Sequence, residues 1–211
     1  MSTAARSSLR GALTLLVFAV VCTALMSGTW LLTRDRVAAN EAEVHVARLA
    51  EVLPGVRYDN DLLRDAAATP PQLAMALGQP HGATVYRAQR EDVVQAVALE
   101  VTAPDGYAGP IRLLLGIGRD GRVLALRVVD HKETPGLGDY IDAAKSDWAR
   151  QFAGASLGQP TEAAWAVQRD GGAFDAVAGA TVTPRAVVKA VKRALQAVEA
   201  HHAWLFGKEQ G

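Results

Sequence analysis

Apolar and polar positions follow three different patterns along this chain, and each pattern predicts a different kind of element. A run without a charged residue covers 11–33; at about 1.5 Å per residue it is long enough to cross a hydrocarbon core of about 30 Å. We interpret this run as a transmembrane helix because the apolar region of a cleavable signal peptide is only about 7 to 15 residues long. A second helix is predicted over 35–53 from residues at helical spacing, namely Val44, Ala47, Ala50 and Leu53.

From residue 81 onward the pattern changes to that of strands. Four strands are predicted, over 83–88, 93–102, 111–117 and 123–129. Asp120-Gly121, between the last two, is a hairpin turn signal. Shorter patterns predict a helix over 71–77, a helix over 142–152, a strand over 163–168 and a last helix from Pro184 to near Leu205. The predicted fold class is α+β, an antiparallel sheet with packed helices behind a single N-terminal transmembrane helix.

The same patterns predict how the chain is organised. The expected segments are an N-terminus at 1–10, a membrane span at 11–33, a helical connector at 34–80, a globular domain at 81–205 and a tail at 206–211. Arg6 and Arg10 indicate that the N-terminus is cytoplasmic and the domain lies outside, although Arg34 and Arg36 weaken the contrast.

Composition excludes several classes of function. The 22 basic and 22 acidic residues cancel, so the basic surface that nucleic-acid binding requires is not expected. Cys22 is the single cysteine, which excludes an internal disulfide framework and a multi-cysteine metal or iron–sulfur site. We predict no metal site, because the carboxylates near the turn at 130–142 are expected to be solvated. Lys189, Lys192 and Arg193 are expected to form the solvated face of the last helix.

Candidate chemistry is concentrated at the start of the last helix. Thr183 suits the N-cap and Pro184 the first helical position, so Thr181 lies just ahead of a helix N-terminus. Backbone N–H groups and the helix dipole stabilise a phosphate there, and Gly179 and Ala180 allow close approach of the backbone. On the residues alone, an ordinary loop that leads into a capped helix is the favoured interpretation.

The segment Asp175-Ala176-Val177-Ala178-Gly179-Ala180-Thr181 resembles the flavinylation signature Asp-x-x-(Ser/Thr)-Gly-Ala-Thr. That signature belongs to the FMN-binding domain of the Rnf complex G subunit and of the C subunit of the sodium-pumping NADH:quinone oxidoreductase. Ala178 stands where the family has a hydroxyl residue. The resemblance implies that a flavin transferase takes FMN from FAD and esterifies it to Thr181. Asp175 would assist that enzyme or its metal ion, and Thr183 would border the cofactor.

A second segment, His131-Lys132-Glu133-Thr134-Pro135-Gly136-Leu137-Gly138, resembles the Glu-Thr-Pro-Gly-Leu-Gly loop of the same domain. The resemblance places Glu133, Thr134, Gly136, Leu137 and Gly138 beside the flavin. A plain surface turn is the alternative for this loop. A strand-end cap is at least as good an interpretation of His131 as a flavin contact. A third match at 103–111 contains Tyr107, for which we favour packing over a flavin contact.

The expected function is therefore a membrane-anchored electron-transfer subunit of an Rnf-type ion-translocating oxidoreductase, with covalent FMN, other complex subunits as partners and no catalytic residue of its own. For a bacterial inner-membrane protein, this orientation places the domain in the periplasm. The C-type subunit of the quinone reductase is the second interpretation. A third, of another class, is a non-redox anchored binding or assembly module in which Thr181 stays unmodified.

Overall fold

The computed structural model describes residues 3–177 and 179–207. The chain divides into two compact units, one up to His45 and one from Val46 onward. Helix α1, Thr3–Val52, runs without interruption where two helices, over 11–33 and 35–53, were predicted. Neither glycine nor proline lies between the two predicted helices, so nothing interrupts the helix there.

Within the described residues, one helix is long and apolar enough to cross a membrane, and it covers Gly11–Val52. Its most apolar stretch has a mean hydropathy of 2.2 and none of it is buried against protein. The hydroxyls of Thr29 and Thr33 donate to backbone carbonyls four residues earlier at 2.8 Å. Such internal pairing satisfies a hydroxyl inside an apolar helix.

The second unit is built on a five-stranded antiparallel sheet in the order β1-β2-β3-β4-β5. The strands are β1 (Ala67–Ala68), β2 (Thr84–Arg90), β3 (Val93–Ala103), β4 (Ile111–Gly118) and β5 (Val123–Asp130). The four longer strands confirm the predicted ones. Gly121 has a φ of 76° in the turn between β4 and β5, as the Asp-Gly signal predicted.

The two faces of the sheet carry different side chains because alternate residues of a strand point to opposite faces. On one face Val97, Leu99, Leu113 and Leu115 belong to the main core, together with helix α3. The other face is lined by small residues of β3 and covered by Leu49, Val52 and Leu53 at the end of α1 and just after it. The unit therefore has a sheet between two hydrophobic layers. Residues 46–80, expected as a connector, belong to this unit.

Three further helices complete the unit: α2 (Pro71–Ala76), α3 (Val182–Ala200) and α4 (His202–Phe206). The short helix predicted over 71–77 is confirmed by α2. The interpretation of Arg193 as part of a solvated face is wrong. Its guanidinium donates to the carbonyls of Ala76 at 2.6 Å and Thr102 at 2.9 Å, so it links α3 to α2 and β3.

The segment between β5 and α3 differs from prediction. The helix predicted over 142–152 is absent; short 3₁₀ turns occupy Asp139–Ile141 and Trp148–Phe152 instead. Asp142 Oδ1 accepts from the Ala144 N–H, and Ser146 Oγ accepts from the Trp148 N–H. These side chains replace helical backbone bonds, which explains the interruption.

The strand predicted over 163–168 is also wrong. The segment forms 3₁₀ turns at Glu162–Ala164 and Gln168–Asp170, and an isolated bridge joins Val167 to Phe174. Trp165 and Val167 are nevertheless buried in the main core. The buried residues of this segment thus pack into the core without a neighbouring strand to form a ladder.

Candidate functional site

The two loops that carry the sequence motifs meet at a cavity of about 280 Å³ at the N-terminus of α3. It is lined by Tyr107, Glu133, Thr134, Leu137, Gly138, Gly179, Ala180, Thr181, Val182 and Thr183. All the predicted site residues except Asp175 and Gly136 are in this lining. Residues about 50 positions apart in sequence are therefore brought together by the sheet and helix α3.

Thr181 directly precedes helix α3. The helix begins at Val182, so Thr181 and not Thr183 occupies the N-cap position, and the predicted N-cap is wrong. Thr181 makes no side-chain capping bond, and its residue is only 7% exposed. Its Oγ1 instead accepts a hydrogen bond from the Arg169 guanidinium at 3.2 Å.

Thr183 and Glu133 form a buried pair behind Thr181. The Thr183 hydroxyl donates to Glu133 Oε2, and the backbone N–H of Ala108 donates to Glu133 Oε1 at 3.1 Å. Glu133 is 4% exposed. Its carboxylate thus joins three segments: the loop before β4, the Gly-rich loop after β5 and the first turn of α3. A carboxylate near a helix N-terminus is also favoured by the helix dipole.

Gly138 is required by this buried pair. A Cβ at Gly138 would lie 2.8 Å from Glu133 Oε2 and 2.9 Å from Thr183 Oγ1, too close for a side chain. Glycine is favoured at position 179 for a different reason, since the φ of 88° lies in the left-handed region. Gly136, outside the lining, donates its N–H to Asp139 Oδ1 at 2.8 Å and closes the same loop.

Asp175 begins the signature but lies outside the cavity lining. Its carboxylate accepts from Gln168 Nε2 at 2.5 Å. Its backbone N–H donates to Gln151 at 2.7 Å, and its carbonyl accepts from the Trp148 indole at 2.7 Å. The start of the loop is therefore held by three side chains. Ala178, the departure from the signature, lies outside the described residues.

The two remaining candidates behave differently. His131 Nδ1 accepts from the Glu133 N–H at 3.1 Å just after β5, which matches the strand-end interpretation. Tyr107 is 71% exposed and lines the cavity, so the preference for packing is wrong. With Leu137 and Val182, both exposed, Tyr107 gives the cavity an apolar rim.

Two charged groups next to the cavity form an ion pair. Arg185, in the first turn of α3, contacts both carboxylate oxygens of Asp170 at 2.5 and 2.6 Å. The hydrogen bond from Arg185 lowers the pKa of Asp170, so this carboxylate stays ionised at neutral pH. Of the carboxylates near the turn, Asp130 pairs with Arg112 at 3.1 Å. In 3–177 and 179–207 no group of three or more potential metal ligands converges.

Arg169 is the site residue that the sequence analysis missed. It lies 12 residues before Thr181, outside both motifs, and its contact with Thr181 depends on the fold of the 3₁₀ segment between them. A basic residue at such a distance carries no local signal.

Known families match both parts of the chain. The FMN-binding domain family matches residues 106–196, which includes both motif loops. The family described as the RnfG N-terminal region matches residues 1–52, a range that includes helix α1.

Curated relatives match almost the whole length. The G subunit of the ion-translocating oxidoreductase complex of Pseudomonas aeruginosa (strain UCBPP-PA14) is 46% identical over 97% of this chain and 95% of its own. The chain belongs to this G-subunit family. The corresponding G subunit of Aliivibrio fischeri (strain ATCC 700601 / ES114) is 40% identical over 91% of this chain and 90% of its own. Among solved structures, NqrC of Shewanella oneidensis shares 21% identity over 70% of this chain and 74% of its own, with a TM-score of 0.48.

Membership decides between the two related families suggested by the motifs. The relatives carry the name of the G subunit, and the N-terminal match is to the RnfG region. The G-subunit interpretation is confirmed, and so is an FMN-binding domain in an α+β fold.

Proposed function

We propose that this G-subunit protein is a membrane-anchored electron carrier whose FMN is joined through its phosphate to Thr181 Oγ1, within an Rnf-type ion-translocating oxidoreductase complex. Its partners are then the other subunits of that complex and, during maturation, a flavin transferase. The observation that carries the proposal is the position of Thr181 at the mouth of a cavity lined by both motif loops.

The described residues fit the phosphate of FMN. Thr181 lies at the N-cap of α3, where backbone N–H groups and the helix dipole favour an anion. The first turn of the helix contains no acidic residue, and the Arg169 guanidinium lies 3.2 Å from the hydroxyl oxygen. A phosphate ester at this oxygen would meet positive charge and N–H donors.

The cavity also fits part of a flat, largely apolar ring system. Its volume of about 280 Å³ lies just below the range for pockets that enclose a small molecule, about 300 to 1,000 Å³. We therefore expect Leu137, Val182 and Tyr107 at its rim to contact a flavin that is partly exposed. Partial exposure suits a carrier that exchanges electrons with neighbouring subunits. When bound, FMN supplies the redox chemistry, and this chain supplies position and electrostatics.

Covalent attachment proceeds without any change of oxidation state. Thr181 Oγ1 forms a bond to the FMN phosphorus of FAD as the phosphoanhydride bond to AMP breaks. AMP leaves with the electron pair, and the hydroxyl proton is released. The chain gains the mass of FMN less that of water.

Helix α1 provides the anchor, and we propose that it crosses the bacterial inner membrane once. The basic residues at 6 and 10 favour a cytoplasmic N-terminus, which puts the FMN-binding domain in the periplasm. A covalently held flavin then remains on a carrier that has no access to the cytoplasmic flavin pool.

The test is the intact mass of the purified chain after co-expression with a flavin transferase, followed by peptide mapping. We expect modification of the wild type and of Thr181→Ser, which keeps a hydroxyl, and none of Thr181→Ala. Thr161→Ala is the matched control, because Thr161 is an exposed threonine outside the cavity lining. Thr183→Ala should also remain modified.

Two outcomes would overturn the proposal. An unmodified wild-type chain, under conditions that modify a known acceptor protein, would support the non-redox binding module. Modification that persists in Thr181→Ala and disappears in Thr183→Ala would place the flavin on the other threonine.

A further inference from the structure

The three residues of the 3₁₀ turn Gln168–Asp170 each contact a different part of the proposed flavin site. Gln168 Nε2 donates to Asp175 at the start of the signature, at 2.5 Å. Arg169 donates to Thr181 Oγ1 at its end, at 3.2 Å. Asp170 pairs with Arg185 in the first turn of α3. One short turn thus holds both ends of the signature and the helix behind it.

The turn is itself well held. Val167, which precedes it, is fully buried, and the Gln168 N–H donates to the Phe174 carbonyl at 2.8 Å. Gly171, which follows it, has a φ of 82° and ends the turn in the left-handed region. On the other side, the two-point contact between Asp170 and Arg185 has the fork geometry that fixes both partners. The turn is therefore a preformed support.

Arg169 is the member of the turn that reaches the reacting atom. Its guanidinium has five N–H donors in a rigid plane. Because a threonine oxygen accepts at most two hydrogen bonds, the contact with Thr181 leaves donors for a phosphate. Once Thr181 Oγ1 is a bridging ester oxygen, the adjacent phosphodiester carries one negative charge on its two other oxygens. A guanidinium 3.2 Å from the bridging atom is within reach of those oxygens.

We propose that Arg169 is the phosphate-binding residue of the flavin attachment site, and that Gln168 and Asp170 are positioning residues that hold it and the loop in register. This inference rests on the proposed function, because it assigns a role toward the phosphate on Thr181. In the transfer step, Arg169 orients the Thr181 oxygen and stabilises the charge on the phosphate as AMP departs. After transfer, it remains paired with the phosphodiester.

The first test is the initial rate of flavinylation of the full-length protein by a limiting amount of transferase with FAD, followed by intact mass. Because Arg169→Gln removes a charge-assisted contact, we expect the initial rate to decrease by about 10- to 100-fold. Arg169→Lys should recover part of the rate, because lysine keeps the charge and loses the fork. The matched control is Arg90→Gln, which removes an exposed arginine of the β2–β3 hairpin.

A second measurement separates phosphate binding from a structural role. The ³¹P NMR shift of the phosphodiester in fully loaded protein should move in Arg169→Gln and stay unchanged in Arg90→Gln. Asp170→Asn should slow flavinylation less than Arg169→Gln does, since it loosens the turn but keeps the Arg169 charge. Thermal unfolding of the Arg169 variants should match the wild type within a few degrees, because Arg169 is exposed.

Three results would overturn the inference while leaving the proposed function intact. They are a wild-type rate in Arg169→Gln, equal losses in Arg169→Gln and Arg169→Lys, and a ³¹P shift that does not respond to Arg169. Failure of the wild-type chain to accept flavin at all is a different outcome, since it removes the proposed function and this inference with it.

Discussion

At the residue scale, Glu133 explains why two distant motifs form one site. Its buried carboxylate accepts from the Ala108 N–H and the Thr183 hydroxyl, and no side chain at position 138 would leave room for it. The residue was expected beside the flavin and does line the cavity. Both of its oxygens are nevertheless engaged by protein groups, so we expect Glu133 to organise the site and the neighbouring loop residues to contact the ring.

Replacement of Glu133 tests this role. Glu133→Ala leaves the buried Thr183 hydroxyl without its acceptor, whereas the part-buried Ala108 N–H can bond to water. A buried unsatisfied group costs roughly 1–3 kcal/mol, so we expect a loss of about 1–3 kcal/mol in unfolding free energy. Glu133→Gln should lose less, because the amide can still accept from Ala108 and donate to the Thr183 oxygen. Urea unfolding measures both. Glu162→Ala removes an exposed carboxylate paired with Lys192 and should lose under about 1 kcal/mol. Equal losses in Glu133→Ala and Glu162→Ala would contradict the assignment.

Tyr86 gives a prediction for alkaline pH. Burial, and next the charge of Glu100 and a hydrogen bond to it, raises the pKa of Tyr86 to about 12. The unfolded value is about 10, so the folded state holds the phenolic proton more tightly. The stabilisation from this group is complete below pH about 10 and is lost between about 10 and 12. The measurement is absorbance near 295 nm after a pH jump, before the protein unfolds. The difference in absorbance between wild type and Tyr86→Phe should then show a midpoint near pH 12. A midpoint near 10 in the folded protein would refute this.

At the scale of elements, the end of helix α1 packs on the sheet at Gly116 of β4, a residue without a side chain. A Cβ on Gly116 would overlap the carbonyl oxygen of Val52, so the helix backbone occupies the space that any other residue would fill. The small residues Ala96 and Ala98 of β3 lie in the same layer. Close approach of helix and sheet on this face therefore requires small side chains, whereas the opposite face carries leucines and valines.

Substitution of Gly116 by alanine tests the contact. The new methyl forces the segment around Val52 away from the sheet, and overpacking of this kind costs about 1–3 kcal/mol. The control is Gly158→Ala, where a Cβ meets no heavy atom within 4 Å, and the expected change is within about 0.5 kcal/mol. Urea midpoints of the two variants should differ clearly. If both match the wild type, the close approach is not a tight constraint.

At the scale of the whole molecule, the proposed flavin site and both core layers belong to the unit that starts at Val46. The last turns of α1 are part of that unit, because Leu49 and Val52 are fully buried in its second layer. The boundary between anchor and domain thus falls inside a continuous helix.

Truncation tests where the domain begins. We expect a chain that starts at Val46 to fold and to unfold cooperatively. A chain that starts at Leu53 loses two buried side chains worth roughly 1.5–3 kcal/mol each, so its unfolding free energy should be about 3–6 kcal/mol lower. Thermal and urea unfolding compare the two. Equal stability of the two chains would show that the end of α1 is dispensable.

Much of the molecule was predictable because its patterns are local. The strands between Thr84 and Asp130 are recognisable from their strand composition, and α3 repeats its apolar positions at helical spacing. The start of α3 was misplaced by two residues, since both Thr181 and Thr183 suit an N-cap and only packing distinguishes them. The segment 142–152 failed because Asp142 and Ser146 bond to nearby backbone groups and replace the helical pattern.

The sequence by itself determined the apolar helix, the antiparallel strands and the two motifs, with Thr181 as the proposed acceptor, because each depends on neighbours within a few residues. Only the tertiary structure decided what surrounds Thr181. The bond between Glu133 and Thr183 joins residues 50 positions apart, and the contact from Arg169 crosses 12 residues of irregular chain. Such pairs leave no periodic trace in a sequence, since they depend on how sheet, loop and helix pack rather than on spacing along the chain.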